Sequence, residues 1–134
     1  SDSFVPSEIA MSTLRVYLVE DNPTIRENLI ETLQDLVEIE PVGHAETESE
    51  GRQWLLGHPT RWDMAIVDIF LKEGSGLGVV QACRERRPGQ HVVVLTNYAT
   101  DDIRRRCAEL GVDAVFDKSN EIDALIDFCL ARKP

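Results

Sequence analysis

The sequence contains no uninterrupted apolar stretch approaching the roughly 20 residues that a membrane-spanning helix requires. Its N-terminus also lacks the basic segment followed by an apolar segment that marks a secretory signal. We therefore predict a cytoplasmic protein without a membrane segment. Cysteine is scarce, with no Cys-x-x-Cys pair and no His and Cys cluster at metal-ligand spacing. The three cysteines, Cys83, Cys107 and Cys129, are predicted to be small buried or half-buried thiols.

Basic residues are few, with 14 lysines and arginines against 24 acidic residues, for a formal net charge of −10. Because a chain of this charge is repelled by a phosphate backbone, we predict that it does not bind nucleic acid directly. Two basic clusters stand out, and both are predicted to be solvated faces late in helices. They are Arg84, Arg86 and Arg87, and the run Arg104, Arg105 and Arg106.

The length of 134 residues and the hydrophobic content of 43% fit one compact globular domain. Residues 1–13 contain Pro6 and small polar residues without periodicity, which indicates a loose arm, in part a cloning remnant or an upstream extension. The domain itself is predicted to span residues 14–133.

Short apolar runs alternate with stretches of helical spacing from Leu14 onward, a pattern typical of a parallel sheet covered by helices on both faces. The fully apolar run before Asp68 indicates a central strand, and Pro41 places the second strand at an edge. The predicted strands are 14–19, 37–43, 64–67, 92–95 and 114–116, and the helices begin near Pro23, Glu48, Leu77, Thr100 and Ile122.

Apolar spacing predicts which face of each helix is buried. The first helix, capped by Asn22, is predicted to bury a stripe made of Ile25, Leu29, Leu33 and Leu36. The second is predicted to bury Trp54 and Leu55, the third to continue until Pro88, and the fourth to end before Gly111. The last is predicted to turn Ile122, Leu125, Ile126, Cys129 and Leu130 toward the sheet.

Polar residues follow the apolar runs where strands reach their carboxyl ends. Glu20 and Asp21 follow the first strand, Asp68 follows the third, Thr96 ends the fourth, and Lys118 comes just after the fifth. Ligands of an open parallel sheet bind at this edge. Crowded carboxylates repel one another, and a divalent cation such as Mg²⁺ would relieve that repulsion. With an ammonium and a hydroxyl added, the set suits phosphoryl transfer, which depends on positioning and charge neutralisation.

These five residues resemble, in order and in position, the phosphorylation site of the receiver domains of bacterial response regulators in two-component systems. The resemblance covers about residues 14–133. It implies a flavodoxin-like, doubly wound (βα)5 fold, in which five parallel strands in the order 2-1-3-4-5 form the middle layer of a three-layer sandwich.

The resemblance also implies a phosphoacceptor and a metal site. Asp68 would take a phosphoryl group from a sensor histidine kinase, a phosphotransfer protein or a small donor such as acetyl phosphate. Asp21 and Asp68 would bind Mg²⁺ directly, Glu20 would hold a metal-bound water, and Phe70 would contribute its backbone carbonyl.

Two further residues would contact the phosphoryl group in such a site. Lys118 would pair with one phosphoryl oxygen, and Thr96 would bond another and draw the loop after the fourth strand inward. The chain would then be a signalling phosphoacceptor that catalyses only its own phosphorylation and dephosphorylation. Its partner surface, and a possible homodimer contact, would be the face made by the fourth helix, fifth strand and fifth helix.

The sequence departs from the receiver pattern in two places. Many receivers have Tyr or Phe where this chain has Val115, so the inward movement of that ring is in doubt; Phe116 is predicted to be core, and Tyr98 to be either a mobile reporter or an exposed loop aromatic. Lys72 follows Leu71 where many receivers have a proline, which leaves the loop less constrained in the unfolded chain. Phe70 is predicted to overhang the phosphate and slow attack by water.

Other interpretations are less consistent with the residues. A haloacid-dehalogenase-type phosphatase needs a second Asp where Phe70 stands, and a flavin-binding module needs a phosphate loop where Glu20 and Asp21 would repel phosphate. Each of the five site residues could also have an ordinary structural role, at a helix start, a turn or a strand end. The main alternative is a degenerate receiver that works only as a phosphorylation-independent interaction module.

Overall fold

The computed structural model describes residues 13–134, so all of the predicted N-terminal arm except Thr13 lies outside the described part. Five parallel strands form one sheet in the order β2-β1-β3-β4-β5, which confirms the predicted topology. The strands are β1 (Arg15–Val19), β2 (Glu40–Ala45), β3 (Met64–Val67), β4 (His91–Thr96) and β5 (Ala114–Asp117). The helices are α1 (Pro23–Val37), α2 (Glu48–Gly57), α3 (Gly76–Ala82), α4 (Asp101–Glu109) and α5 (Ile122–Ala131).

The helices cover both faces of the sheet and give the predicted three layers. On one face α1 and α5 pack over strand residues such as Leu18, Ile66 and Leu95. On the other face, residues of α2, α3 and α4 pack over Val19, Val67 and neighbouring strand positions. Every residue of β3 is completely buried because this strand has helices above and below and strands on both sides.

The buried stripe of α1 differs from the predicted one. Ile25 and Leu36 are 36% and 56% exposed, whereas Arg26 and Val37 are buried. Val37, assigned from sequence to the second strand, ends α1 instead, and Glu38 closes the helix with a left-handed φ of 63°. The stripe that faces the sheet therefore follows the positions Arg26, Leu29, Leu33 and Val37.

Several smaller predictions were wrong for tertiary reasons. Helix α3 ends at Ala82, well before Pro88, and Leu130 on α5 is 45% exposed rather than facing the sheet. Trp54 is only half-buried, because its ring stacks on Tyr17 at the side of the sheet, with the ring centroids 4.1 Å apart. Leu55 is buried as predicted.

The prediction that both arginine clusters are solvated helix faces is confirmed only in part, because Arg84, Arg86 and Arg87 all lie beyond the end of α3. Arg86 lies beyond the end of α3, donates to the carbonyl of Gly111 at 2.7 Å, and forms an ion pair with Asp113 at 2.8 Å. Arg104 on α4 donates to two backbone carbonyls and to Glu121. The remaining four, Arg84, Arg87, Arg105 and Arg106, are exposed.

None of the helices in the described part of the chain is both long and apolar enough to cross a membrane.

The three cysteines are free and buried, as predicted. Burial raises the pKa of Cys83 to about 11 and that of Cys129 to about 12, and it also raises the pKa of Cys107.

Since the thiolate is the reactive form, we expect Ellman's reagent at about pH 8 to modify the native thiols at least about 100-fold more slowly than those of protein unfolded in guanidinium. A thiol that reacts in native protein as quickly as in unfolded protein would contradict the packing described here.

Candidate functional site

The site residues extend the sheet's hydrogen bonding by one residue beyond the strand ends. Glu20 N–H donates to the carbonyl of Ala45 at 3.0 Å, Asp68 N–H to that of Val19 at 2.9 Å, and Lys118 N–H to that of Thr96 at 2.9 Å. The backbones of these residues are therefore fixed by the same parallel register that forms the core. Their side chains meet at one edge, as the sequence predicts.

Three carboxylates lie together at this edge. One oxygen from each of Glu20, Asp21 and Asp68 lies within 4.8 Å of the other two. Glu20 and Asp68 are buried, and Asp21 is half-buried. The cluster opens into a cleft of about 230 Å³. The cleft is lined by Glu20, Asp21, Asn22, Ile25, Asp68, Phe70, Asn97, Tyr98 and Lys118.

Lys118 lies between two of the carboxylates. Its Nζ is 2.5 Å from Oε1 of Glu20 and 3.0 Å from Oδ2 of Asp68, and the lysine side chain is only 10% exposed. The backbone N–H of Phe70 donates to the other Asp68 oxygen at 3.3 Å. Both oxygens of the Asp68 carboxylate are thus held in defined directions.

The electrostatics of the site follow from burial and from this lysine. Burial raises the pKa of Asp68, and the charge of Glu20 adds to the rise, while Lys118 and the N–H of Phe70 partly offset it. Burial by itself would lower the pKa of Lys118, but its bonds to Glu20 and Asp68 together outweigh that effect and raise the pKa. The ammonium of Lys118 therefore partly neutralises two buried carboxylates, those of Glu20 and Asp68, and the carboxylate of Asp21 lies close to both.

Backbone N–H groups orient the carboxylates of Glu20 and Asp21. Asn22 caps α1 by accepting from Thr24 N–H at 2.9 Å and Ile25 N–H at 3.1 Å, as predicted. The N–H of Asn22 also donates to Oε2 of Glu20 at 3.0 Å. Asp21 accepts from the N–H of Lys72 at 2.6 Å, which connects the end of β1 to the loop after β3.

Thr96 stands apart from the other predicted site residues. It is completely buried, its Oγ1 accepts from the N–H of Tyr98 at 3.2 Å, and it does not line the cleft. The ring of Phe70 is half exposed at the mouth of the cleft and packs edge-on against Tyr98, with the ring centroids 5.1 Å apart. The structure thus brings together Glu20, Asp21, Asp68, Phe70 and Lys118.

Sequence reasoning missed a buried arginine beside this cluster. Arg26 is 7% exposed, and its Nη1 donates to the carbonyl of Glu20 at 2.9 Å and to Oε2 of Glu46 at 3.0 Å. The signal was present in the sequence, because Arg26 lies three residues before Leu29 and seven before Leu33, on the stripe that faces the sheet. Its charge lies behind the acidic cluster rather than in solvent.

The structure shows the surroundings of the residues near the position where many receivers have a mobile aromatic ring. Phe116 is buried and packs against Phe128 with the ring centroids 5.7 Å apart, so its prediction as a core residue is confirmed. Val115, in the usual position of the mobile ring, is half-buried, and its carbonyl accepts from Nη1 of Arg104 at 3.0 Å. Tyr98 is 61% exposed on its loop.

The residues present fit a magnesium ion. Mg²⁺ in proteins takes oxygen ligands, commonly one or two carboxylates with water and phosphate oxygens. The cluster offers three carboxylates within 4.8 Å of one another beside an open cleft, while among residues 13–134 only one ammonium contacts them directly. A divalent cation would therefore relieve the repulsion that remains after Lys118 is counted.

The fold and the site together are an open, doubly wound sheet with an acidic cleft and a lysine at its carboxyl edge. Residues 16–129 match the family model of the response regulator receiver domain, so the chain belongs to that family. Receiver domains work in two-component signal transduction and bind Mg²⁺ at an acidic pocket.

Individual relatives agree with this assignment. The photosynthetic apparatus regulatory protein RegA of Rhodobacter capsulatus is 32% identical over 66% of this chain, which corresponds to 47% of RegA. The chain thus spans about half the length of that relative. A DNA-binding response regulator of the LuxR family from Staphylococcus aureus shares the fold with a TM-score of 0.77 at 16% identity, over 89% of this chain and 98% of the other. The response regulator domain of CheB from Thermotoga maritima also shares the fold. Its TM-score is 0.74 at 16% sequence identity, over 91% of this chain and 99% of the other.

Gly76 permits the close approach of α3 to the backbone of Asp68 at the end of β3. A Cβ at this position would overlap the carbonyl oxygen of Asp68, whereas a Cβ at Gly57 in α2 would meet nothing within 4 Å. We expect Gly76→Ala to lower the free energy of unfolding by about 1–3 kcal/mol or more, as overpacking does. Gly57→Ala, the matched control, should leave it unchanged or raise it by up to about 1 kcal/mol. Urea unfolding followed by circular dichroism measures both, and equal stabilities would contradict the predicted overlap.

Proposed function

We propose that the chain is a working phosphoacceptor, in which Asp68 receives a phosphoryl group from a sensor histidine kinase or phosphotransfer protein. The observation that carries the proposal is the contact of one buried ammonium, Lys118, with both Asp68 and Glu20 beside a third carboxylate. Such a cluster is costly unless a cation and a phosphoryl group use it. A small donor such as acetyl phosphate would serve the same site.

The metal would be held by the acidic cluster. Asp21 and Asp68 would bind Mg²⁺ directly, Glu20 through a water, and Phe70 through its backbone carbonyl. When bound, Mg²⁺ supplies positive charge that neutralises the phosphoryl oxygens as charge develops on them. The contact of Lys72 N–H with Asp21 and that of Asn22 N–H with Glu20 keep these carboxylates turned toward the cleft.

The transfer step is a displacement at phosphorus. A carboxylate oxygen of Asp68 attacks, an O–P bond forms as the P–N bond of the donor phosphohistidine breaks, and the ring nitrogen leaves with the bonding electrons. Before the step Lys118 favours the ionised carboxylate of Asp68, because its bond and charge offset part of the rise in pKa that burial causes. Afterwards the same ammonium pairs with a phosphoryl oxygen.

Thr96 and Arg104 would transmit the change to the partner surface. The hydroxyl of Thr96, which now accepts from Tyr98 N–H, would turn to donate to a phosphoryl oxygen and draw the loop after β4 inward. Arg104 donates to the carbonyls of Ala99, in that loop, and Val115, in β5, and to Glu121 at the start of α5. Movement of the loop would therefore reach the face made by α4, β5 and α5, where a partner or a second copy would dock. The chain acts as a signalling phosphoacceptor, not as a conventional enzyme, and does not itself contact nucleic acid.

A titration with beryllofluoride and Mg²⁺, followed by amide NMR, tests the proposal. We expect saturable shifts near Thr96 and Lys118 in wild type, because beryllofluoride bound to an aspartate imitates the acyl phosphate. Asp68→Asn is the matched control, since it keeps the shape of the side chain but loses the charged oxygen, and it should show none of these shifts. A wild-type protein as unresponsive as Asp68→Asn would instead favour the degenerate receiver.

Phe70 gives a second prediction, about the lifetime of the acyl phosphate. Its half-exposed ring stands at the mouth of the cleft, so we expect Phe70→Asn to admit water and shorten the lifetime about three- to tenfold, a barrier change of roughly 1 kcal/mol. Leu56→Asn on α2, 59% exposed and outside the lining of the cleft, is the control. Decay of the phosphorylated form, followed by mass spectrometry after removal of the donor, measures the lifetimes. A longer lifetime in Phe70→Asn than in wild type would rule out the shielding role.

A further inference from the structure

The acceptor loop, residues 69–75, connects the phosphoacceptor strand to α3 without the proline that many receivers have there. Even so, its two ends are tied together. Phe70 and Ser75 form an isolated antiparallel bridge, and the N–H of Gly76 donates to the carbonyl of Ile69 at 2.8 Å. What restrains the outer part of the acceptor loop is a residue on a different element.

Glu48, the first residue of α2, contacts the acceptor loop in both directions. Its backbone N–H donates to the carbonyl of Glu73 at 3.1 Å, which satisfies one of the free N–H groups of a helix start. Its side-chain Oε1 accepts from the N–H of Ser75 at 2.8 Å. The bond to Ser75 has a charged acceptor and is therefore stronger than a neutral one.

The glycines around the acceptor loop leave room for this carboxylate. A Cβ at Gly78 would overlap Oε2 of Glu48, and a Cβ at Gly74 would overlap the Cβ of Glu48. Gly74 also has a φ of +80°, which favours glycine. One turn further along α2, Arg52 donates to the carbonyl of Gly78 at 2.8 Å. The Gly-Ser-Gly-Leu-Gly sequence thus forms a socket for the side chain of Glu48.

We propose that Glu48 is a positioning residue for the magnesium site, because its carboxylate and its backbone N–H hold the acceptor loop in place. The inference rests on the proposed function, since the acceptor loop would present the Phe70 carbonyl to the metal and supplies the Lys72 N–H that Asp21 accepts. Releasing Ser75 would let the acceptor loop open and would weaken metal binding without removing a ligand.

Three variants separate this role from general effects. Glu48→Ala removes the acceptor, while Glu48→Gln keeps an oxygen for the N–H of Ser75 and removes only the charge. Glu31→Ala on α1 removes the same charge from an exposed residue that has no side-chain bond within residues 13–134. Two measurements apply to each, namely hydrogen exchange of the Ser75 amide and a titration with MgCl₂ followed by amide NMR.

We expect Glu48→Ala to exchange the Ser75 amide at least about tenfold faster than wild type and to bind Mg²⁺ roughly tenfold more weakly. Glu48→Gln should retain most of the wild-type protection of the Ser75 amide and most of the wild-type Mg²⁺ affinity. Glu31→Ala should match wild type in both measurements. Unchanged exchange in Glu48→Ala would overturn the inference, and so would faster exchange with unaltered Mg²⁺ affinity. Failure of the proposed function has a different signature, because wild type itself would then show no saturable Mg²⁺ shifts, and the inference would fall with it.

Discussion

The structure depends on a conflict of charge that is resolved at one edge of the sheet. Burying Glu20 and Asp68 side by side is unfavourable, because both carboxylates lose water and repel each other. Lys118 compensates this by contacting both with a side chain that is almost as buried as they are. The remaining negative charge, on Asp21 and on the unshared oxygens, is what makes the edge suitable for a divalent cation and a phosphoryl group.

The fold supplies the rigidity that this arrangement requires. The parallel register continues one residue past β1, β3 and β5, so the polar side chains leave a backbone that is already hydrogen-bonded. β3 is completely buried, which fixes where Asp68 emerges. Gly76 then lets α3 start against the Asp68 carbonyl, and Glu48 holds the acceptor loop from the side. The acceptor loop of this chain lacks proline and is held by hydrogen bonds from neighbouring elements.

The apolar pattern of the sequence predicted the alternation of strands and helices, the helices on both faces of the sheet and the polar residues at the strand ends, whereas the strand order was predicted from the resemblance to receiver domains. It did not predict the rotation of α1, because Ile25 and Arg26 differ by one position and only packing against the sheet decides which is buried. Nor could it predict the partners of Arg86 and Arg104, which are carbonyls from distant segments. The direction of the Thr96 hydroxyl depends on Tyr98 N–H, a contact that no sequence period encodes.

The valine at position 115 changes how a signal can cross the α4, β5 and α5 face. A ring that moves inward would couple the site to this face by filling or vacating space, and Val115 is too small for that. What connects the same segments here is the guanidinium of Arg104, bonded to Ala99 before α4, to Val115 in β5 and to Glu121 beside α5. Because hydrogen bonds are short and directional, a shift of the loop after β4 must either carry Arg104 with it or break its bond to Ala99. In this chain the proposed coupling would therefore depend on backbone carbonyls and one charged side chain, not on the volume of an aromatic ring.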